Sequence, residues 1–365
     1  MLRNEHQFVF TYYRAADGSP VGQAPAEVDW LPAVECAQFE ALRRGLAPGH
    51  SSCREARLAL VPHPTAGEPF VEGFIISLFQ DAREVAKASF ARNYFKDAAE
   101  AGSRTLVANG TLKAGEQFLY MVSAYPQPRP LRAKPSPAFS VEEADAAVTM
   151  TDVSLSELKQ QTVEFGSRDS GDIPVFIPQL VLDEVCTAAA AAGAVEVGGI
   201  LIGQLLYDTL LREAAVEVTA QIPAREALGE STTLTFTHET WTAVDTALRL
   251  RRSQECYLGW WHFHPGTKWC TAACTPEKRR TCPFNFSFFS TEDRTLHRTV
   301  FVKPYNQALV VTSTEDGMRH ALFGWRHGLV QERGFFITGC SRPTALAEPA
   351  AILNAKDPHE TTCSH

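Results

Sequence analysis

The sequence predicts an α/β protein of the α+β type, in which a mixed sheet flanked by helices is preceded by a smaller α+β domain. Three observations lead to this fold class. A proline-rich run divides the chain, apolar runs of strand length occur on both sides of it, and helical patterns separate strands in the carboxy-terminal part. At 365 residues the chain is long enough for two domains that each bury a core.

The proline-rich run at residues 125–137 marks the domain boundary. It contains five prolines with cationic residues between them, a composition that favours an extended, semi-rigid linker. We therefore predict an amino-terminal domain at 1–125, a linker and connector with some helix at 126–171, and a second domain at 172–340. The tail at 341–365 is rich in alanine, proline and polar residues, and we predict that it is poorly ordered.

The amino-terminal domain has an α+β pattern and no recognisable catalytic constellation. Apolar and aromatic runs predict strands at 56–61, 70–78 and 117–122, and a mixed helical pattern covers 82–101. The sequence leaves the role of this domain unknown. Its presence favours a macromolecular partner over a small molecule.

The second domain shows the mixed element order of a sheet flanked by helices. The predicted elements are a helix at 177–193, strands at 195–203 and 214–222, a helix at 238–251, a strand at 256–263, a helix at 291–298, and strands near 299–303, 307–313 and 318–325.

Composition limits the compartment and the partners. A net charge of −8 gives no basic footprint for nucleic acid, and a partner with a basic surface fits better. The amino terminus lacks a long apolar signal region, and no run approaches the roughly 18 apolar residues of a membrane span. We therefore expect a cytoplasmic protein with no membrane or nucleic-acid partner, in which most of the nine cysteines are thiols.

Two histidines end an aromatic strand in the second domain. The run 257–265 is apolar up to His262 and His264, which is typical of a buried strand. Side chains at i and i+2 share a strand face, so both imidazoles point the same way while Phe263 points to the opposite side. Two imidazoles on one face can hold one metal ion.

A third metal ligand is predicted on the helix that follows. Ser290 is a good N-cap residue for the helix at 291–298, and Asp293, three residues later, lies on the neighbouring part of the same face. Asp293 can then complete a set of three protein ligands with His262 and His264. Such a set leaves a fourth tetrahedral position for water, as in catalytic zinc sites.

Glu196 is the candidate general base. It lies in the run 195–203, whose residues are apolar on both faces, as in a strand covered on both sides. An ionised carboxylate there is costly unless it has a partner or a task. Ser290, beside the metal, could donate a hydrogen bond to the oxyanion formed when water attacks a carbonyl. The glycines at 198, 199 and 203 predict close backbone packing, because no Lys-Ser/Thr follows to form a phosphate loop.

Taken in order, Glu196, the run His262-Phe263-His264-Pro265 and the run 290–293 resemble the JAMM motif (E…HxHP…SxxD) of the MPN (JAB) zinc metalloproteases. The resemblance covers roughly residues 172–335. That family includes deubiquitinating subunits of the proteasome lid and the signalosome, and bacterial relatives that act on ubiquitin-like or sulfur-carrier proteins.

The resemblance implies an MPN/JAB-like fold and a zinc-dependent isopeptidase or peptidase that cleaves after the carboxy terminus of a ubiquitin-like protein. Carried over by position, it implies zinc ligation by His262, His264 and Asp293, general acid/base catalysis by Glu196 and oxyanion stabilisation by Ser290. It also implies a ubiquitin-like protein or its conjugates as partner, together with enzymes of the conjugation pathway. Three alternatives stay open: a scaffold that does not catalyse, a metal hydrolase of a small molecule, and a peptidase that trims a sulfur-carrier precursor.

The chain departs from the family between His264 and Ser290, where a short loop is usual and this sequence has residues 265–289. We expect this insertion to line the substrate groove. It contains Cys270, Cys274 and Cys282 in a C-x3-C-x7-C spacing. Clustered thiols raise the hypothesis of a second, structural zinc, with a fourth ligand from Cys256, His297 or another residue. The alternative is three free or partly buried cysteines.

Overall fold

A computed structural model of the chain describes residues 6–46, 55–80, 82–127, 149–224, 236–251, 254–269, 275, 278, 282 and 286–339. The fold is mixed α+β, and the chain divides into two compact units between Val148 and Thr149. Most of the proline-rich run and the whole of the tail at 341–365 lie outside the described residues.

The described residues of the first unit form a six-stranded sheet and two α-helices. Its elements are β1 (His6–Arg14), β2 (Pro20–Pro25), α1 (Leu31–Arg43), β3 (Glu55–His63), β4 (Gly67–Gln80), β5 (Arg83–Ala91), a 3-10 helix (Arg92–Phe95), α2 (Lys96–Ala108) and β6 (Phe118–Pro126). The strand order is β2-β1-β6-β4-β3, and β5 also pairs with β4.

The helix predicted at 82–101 is wrong in its first half. Residues 83–91 form β5, which pairs antiparallel with β4, and the α-helix starts only at Lys96. Long-range pairing overrides the local helical pattern, because the ring of Phe90 stacks on that of Phe74 with centroids 4.9 Å apart. The predicted strands at 56–61, 70–78 and 117–122 correspond to β3, β4 and β6.

The second unit contains the motif residues. Its elements are β7 (Met150–Asp152), α3 (Leu155–Gln160), β8 (Thr162–Phe165), β9 (Val175–Pro178), α4 (Gln179–Ala192), β10 (Gly198–Asp208), β11 (Glu213–Pro223), α5 (His238–Arg251), β12 (Cys256–His264), α6 (Gly266–Trp269), α7 (Thr291–Val300), β13 (Gln307–Thr314), β14 (Gly317–Arg326), β15 (Leu329–Arg333) and β16 (Phe335–Thr338). The strand order is β15-β14-β13-β12-β10-β11-β9-β16-β8, with β7 paired to β10.

Part of the expected connector belongs to this sheet. β7 pairs parallel with β10, and β8 pairs antiparallel with β16. Strands of three or four residues have too little alternation to be read from a sequence, and their pairing partners are distant along the chain. For the same reason, the short strands β15 and β16 at the end of the unit were missed. The strand predicted at 299–303 does not form: α7 runs through Val300, and Phe301 enters the core.

Strands β10 and β12 lie at the centre of the sheet and position the motif. They pair antiparallel with Gly198 opposite His262, and β12 runs parallel to β13 on its other edge. A Cβ atom on Gly199 would collide with the carbonyl of Ile222 and the indole nitrogen of Trp261. Close backbone packing therefore explains this glycine.

Within the described part of the chain, none of the helices combines the length and the apolar composition that crossing a bilayer would require.

Candidate metal centre

Strand β12 brings two imidazoles together in the interior of the second unit. His262 and His264 lie on the same face of the strand and are almost completely buried. Their Nε2 atoms are 2.7 Å apart. Both rings therefore direct the same nitrogen to one point, as the strand periodicity predicted.

The first turn of α7 brings a carboxylate to the same point. Asp293 Oδ1 is 3.2 Å from Nε2 of His262, and Asp293 Oδ2 is 3.4 Å from Nε2 of His264. A capping box fixes the carboxylate: Ser290 N–H donates to Asp293 Oδ2 at 2.8 Å, and Asp293 N–H donates to Ser290 Oγ at 3.0 Å. The i and i+3 spacing thus holds Asp293 toward the histidines.

These three side chains fit a zinc ion. Zn–N and Zn–O bonds of about 2.0–2.1 Å place tetrahedral ligand atoms roughly 3.3 Å apart, and the two His–Asp separations are close to this value. The 2.7 Å between the imidazole nitrogens is shorter. Acceptor atoms brought this close repel each other unless a proton or a cation lies among them. Of the residues that the structure describes, these form the one metal-ligand cluster of His, Cys, Asp or Glu.

Charge states at neutral pH suit metal binding. Burial, reinforced by the neighbouring His262, lowers the pKa of His264 to about 4, so its imidazole is neutral. Burial opposes ionisation of Asp293, but the charge of His262 and the hydrogen bonds of His262 and His264 outweigh it and hold the pKa of Asp293 well below its usual range. A neutral imidazole and an ionised carboxylate are the forms that bind metals.

Glu196 is buried beside this centre but lies before the strand, not inside it. β10 begins at Gly198, which corrects the predicted start at residue 195. The Phe263 N–H donates to the Val197 carbonyl at 2.8 Å and continues the pairing register, so that Glu196 lies level with His264. Burial raises the pKa of Glu196 to about 7; His262 opposes the shift, and Asp293 and Glu292 add to it. A carboxylate with this pKa can accept and return a proton near neutral pH.

Ser290 forms the N-cap that the sequence predicted, and its role as an oxyanion donor stays a prediction. Its Oγ accepts the Asp293 N–H as the N-cap of α7. The hydroxyl still has its own proton to donate, because capping uses only an oxygen lone pair.

The insertion packs against the metal centre at both of its ends. The rings of Trp269, at the end of α6, and Phe288 lie 5.1 and 4.6 Å from that of His264. Both side chains are half-buried. Cys282 is buried and forms no disulfide, whereas Cys270 and Cys274 lie outside the described residues. The second zinc therefore stays a prediction.

Of the two residues named as fourth ligands for that second zinc, His297 has another partner. It is fully buried and accepts the indole N–H of Trp260 at Nδ1, 3.1 Å away. Burial lowers its pKa to about 3. The sequence already places His297 near the candidate metal ligands, because it follows Asp293 by one helical turn. Cys256 begins β12, and burial, then the charge of Glu255, raises the pKa of its thiol to about 11.

Comparisons with known proteins add little to this description. No protein-family model matches the chain, and no curated protein matches it. Among solved structures, the solution structure of protein DSY2949 from Desulfitobacterium hafniense is similar to part of it, with 19% identity, 45% of this chain and 92% of that chain covered, and a TM-score of 0.31. A TM-score this low supports no inference about fold or function.

Proposed function

We propose that this protein is a JAMM-type zinc metalloprotease of the MPN (JAB) family, which hydrolyses a peptide or isopeptide bond. The observation that carries the proposal is the convergence of His262, His264 and Asp293 from β12 and α7, with the buried carboxylate of Glu196 beside them. Resemblance in motif order and convergence in space are separate observations, and both favour the same chemistry.

The chain's own residues divide the work of hydrolysis. His262, His264 and Asp293 hold the metal. A zinc ion there supplies Lewis acidity, which polarises the substrate carbonyl and makes a water molecule nucleophilic near neutral pH. Glu196 accepts the proton of that water and returns it to the leaving amine, a task for which a pKa of about 7 is suited. The Ser290 hydroxyl donates a hydrogen bond to the developing oxyanion.

The proposed substrate is the carboxy terminus of a ubiquitin or ubiquitin-like protein. The ligands are buried, and Trp269 and Phe288 pack against His264. A substrate backbone can approach such a centre closely only if it is extended and has small side chains, as glycine-rich tails do. The amino-terminal unit would then dock the folded protein attached to that tail or an enzyme that conjugates it. A cytoplasmic location belongs to the same proposal.

The runner-up functions differ in observable ways. A scaffold that does not catalyse would need neither a pKa-shifted Glu196 nor three converging ligands, so the site geometry disfavours it. A peptidase that trims a sulfur-carrier precursor would use the same chemistry on a different carboxy terminus. Only the identity of the substrate separates this peptidase from one that acts on a ubiquitin-like protein.

Cleavage of a ubiquitin-like protein that carries a carboxy-terminal fusion tests the proposal. The wild-type protein loaded with zinc is expected to release the fusion, and Glu196→Gln or Glu196→Ala to reduce the rate by roughly 10²–10⁴-fold while retaining zinc. Glu157→Gln is a matched control, because it neutralises an exposed carboxylate on the first turn of α3, which supplies no residue to the site. Near-normal turnover by Glu196→Gln would remove Glu196 from the mechanism. Cleavage of short unstructured peptides alone would instead indicate general peptidase activity.

A further inference from the structure

A fully buried tryptophan contacts one of the proposed metal ligands without being a ligand itself. Trp260 precedes His262 by two residues and shares its face of β12. Its ring stacks on the imidazole of His262, with centroids 4.5 Å apart and planes 16° from parallel. Its indole N–H donates to Nδ1 of His297 at 3.1 Å. One side chain thus joins a proposed ligand on the strand to a residue on α7.

The hydrogen bond connects the two elements that must meet to form the centre. His297 follows Asp293 by four residues on α7, so the two side chains lie on the same helical face. Strand β12 supplies the two histidines and α7 supplies the aspartate. The Trp260–His297 bond therefore fixes the position of the helix against the strand at the level of the ligands.

Hydrogen-bond stability alone does not account for the polar ring of His297. Because Nδ1 accepts the indole proton, the neutral imidazole carries its own proton on Nε2. Among the described residues, that nitrogen has no hydrogen-bond partner, and the ring is fully buried between aromatic neighbours that include Phe301 and Trp325. Buried donors without partners are rare and require a reason. An apolar residue would remove this unpaired donor but leave another, the buried indole N–H of Trp260, without its acceptor.

We propose that the Trp260–His297 hydrogen bond positions the metal ligands. It fixes the plane of the Trp260 ring, on which His262 stacks, and it holds α7 where Asp293 reaches both imidazoles. His297 is in this view a positioning residue, not a catalytic one. The inference rests on the proposed function in one respect, because it requires that these residues bind zinc. Residues that contact metal ligands and orient them commonly tune the affinity for the metal in this way.

Zinc affinity, measured by competition with a chelator, tests the inference in His297→Leu. The variant is expected to bind zinc roughly 10–100-fold more weakly, the usual effect of removing a partner behind the ligands. The melting temperature of the metal-free variant should stay near that of the wild type. The substitution leaves one buried donor, Trp260 Nε1, without an acceptor, but it also removes an unpaired donor, His297 Nε2. Loss of zinc affinity without loss of fold is a result that a merely structural role would not give.

Trp325→Phe is the matched control. Trp325 packs against the same imidazole, that of His297, but its indole donates to the carbonyl of Phe301, the residue after α7, at 2.8 Å. No stacking contact to His262 is present at Trp325 among the described aromatic pairs. The control is therefore expected to lower stability and leave zinc affinity within about threefold of wild type, a small change on the scale above.

A second variant and a spectroscopic readout separate positioning from packing. His297→Asn keeps an acceptor near the place of Nδ1 and is expected to recover part of the zinc affinity lost in His297→Leu. In proton–nitrogen NMR spectra of the metal-free protein, the indole signal of Trp260, assigned by its absence in Trp260→Phe, should shift in His297→Leu and not in Trp325→Phe. The visible spectrum of the cobalt-loaded protein should likewise change in His297→Leu and not in Trp325→Phe.

Two results would overturn the inference, and they differ in what they leave intact. If wild-type protein binds zinc and His297→Leu loses no more affinity than Trp325→Phe, the positioning role is wrong and the proposed function stands. If the wild-type protein binds no zinc, the proposed function fails and the inference fails with it.

Discussion

The second unit buries two carboxylate clusters that differ in how their charges are balanced. Asp172 is almost fully buried and binds Arg326 Nε at 2.6 Å and Arg333 Nη2 at 3.2 Å. Burial opposes its ionisation, but the two guanidinium groups outweigh it and keep the pKa of Asp172 low. This cluster contains permanent cations, so it is complete in itself.

The metal centre has no such permanent cation among its four proposed residues. Asp293 faces two imidazoles, of which His264 is neutral at pH 7, and the pKa of nearby Glu196 is raised to about 7 by burial. The converging acceptors and the raised pKa of Glu196 leave this cluster without a balancing positive charge, which the metal ion of the proposed function would supply. The two clusters therefore differ in the source of the balancing charge, which is two guanidinium groups at Asp172 and, in the proposed function, a bound metal ion at Asp293.

Removing the charge of Asp172 should have the largest effect on stability and no effect on metal content. Asp172→Asn removes the carboxylate that Arg326 and Arg333 share, and breaking a buried ion pair typically costs about 3–5 kcal/mol. Urea denaturation measures the free energy of unfolding, and elemental analysis of the folded variant measures zinc. A change below about 1 kcal/mol, or a loss of zinc from folded protein, would break the distinction between the clusters.

A substitution of Ser290 can separate its role as the helix N-cap from its proposed role in catalysis. Losing an oxyanion donor costs roughly 10²–10³-fold in rate, whereas glycine replaces serine at an N-cap at a cost of only a few tenths of a kcal/mol. Ser290→Gly is therefore expected to reduce turnover strongly and leave the melting temperature nearly unchanged. An unimpaired rate would return Ser290 to capping alone.

The ionisation of Glu196 gives a smaller, pH-dependent effect on stability. Because its pKa rises from 4.5 to about 7 on folding, its favourable contribution is full below pH 4.5 and is lost as the pH rises through 7. The loss is about 3 kcal/mol at most. Glu196→Gln cannot ionise, so in metal-free protein it should match wild type at pH 4 and be more stable by up to that amount above pH 8.

Unfolding curves of both proteins across this pH range measure the difference. Glu157→Gln, which removes an exposed carboxylate that does not act on Glu196, should follow the wild type throughout. A constant offset between Glu196→Gln and wild type at all pH values would show that Glu196 ionises normally in the folded protein.

The sequence predicted the components of the metal centre better than their surroundings. His262, His264 and Asp293 follow from strand and helix periodicities, which are local, and the structure brings their ligand atoms together. Glu196 was correctly expected to be buried, although β10 starts two residues after it. The contact between Trp260 and His297 could not be predicted, because it depends on how α7 packs on β12.

The fold was predictable to a similar degree. Long apolar strands and the helices at 179–192 and 238–251 agree with the predicted elements. The short strands β7 and β8, and the strand β5 in place of a helix, depend on pairing partners that are distant in the sequence. Local patterns do not contain that information.

The zinc content of purified protein tests the central claim most directly. Elemental analysis of the wild type is expected to give one catalytic zinc per chain, with a second zinc only if the cysteines of the insertion also bind one. The folded double variant His262→Ala/His264→Ala should lose the catalytic zinc, since two of its three ligands are gone. Asp172→Asn should retain it. Unchanged zinc content in the folded histidine variant, or a wild type that takes up no zinc, would contradict the account.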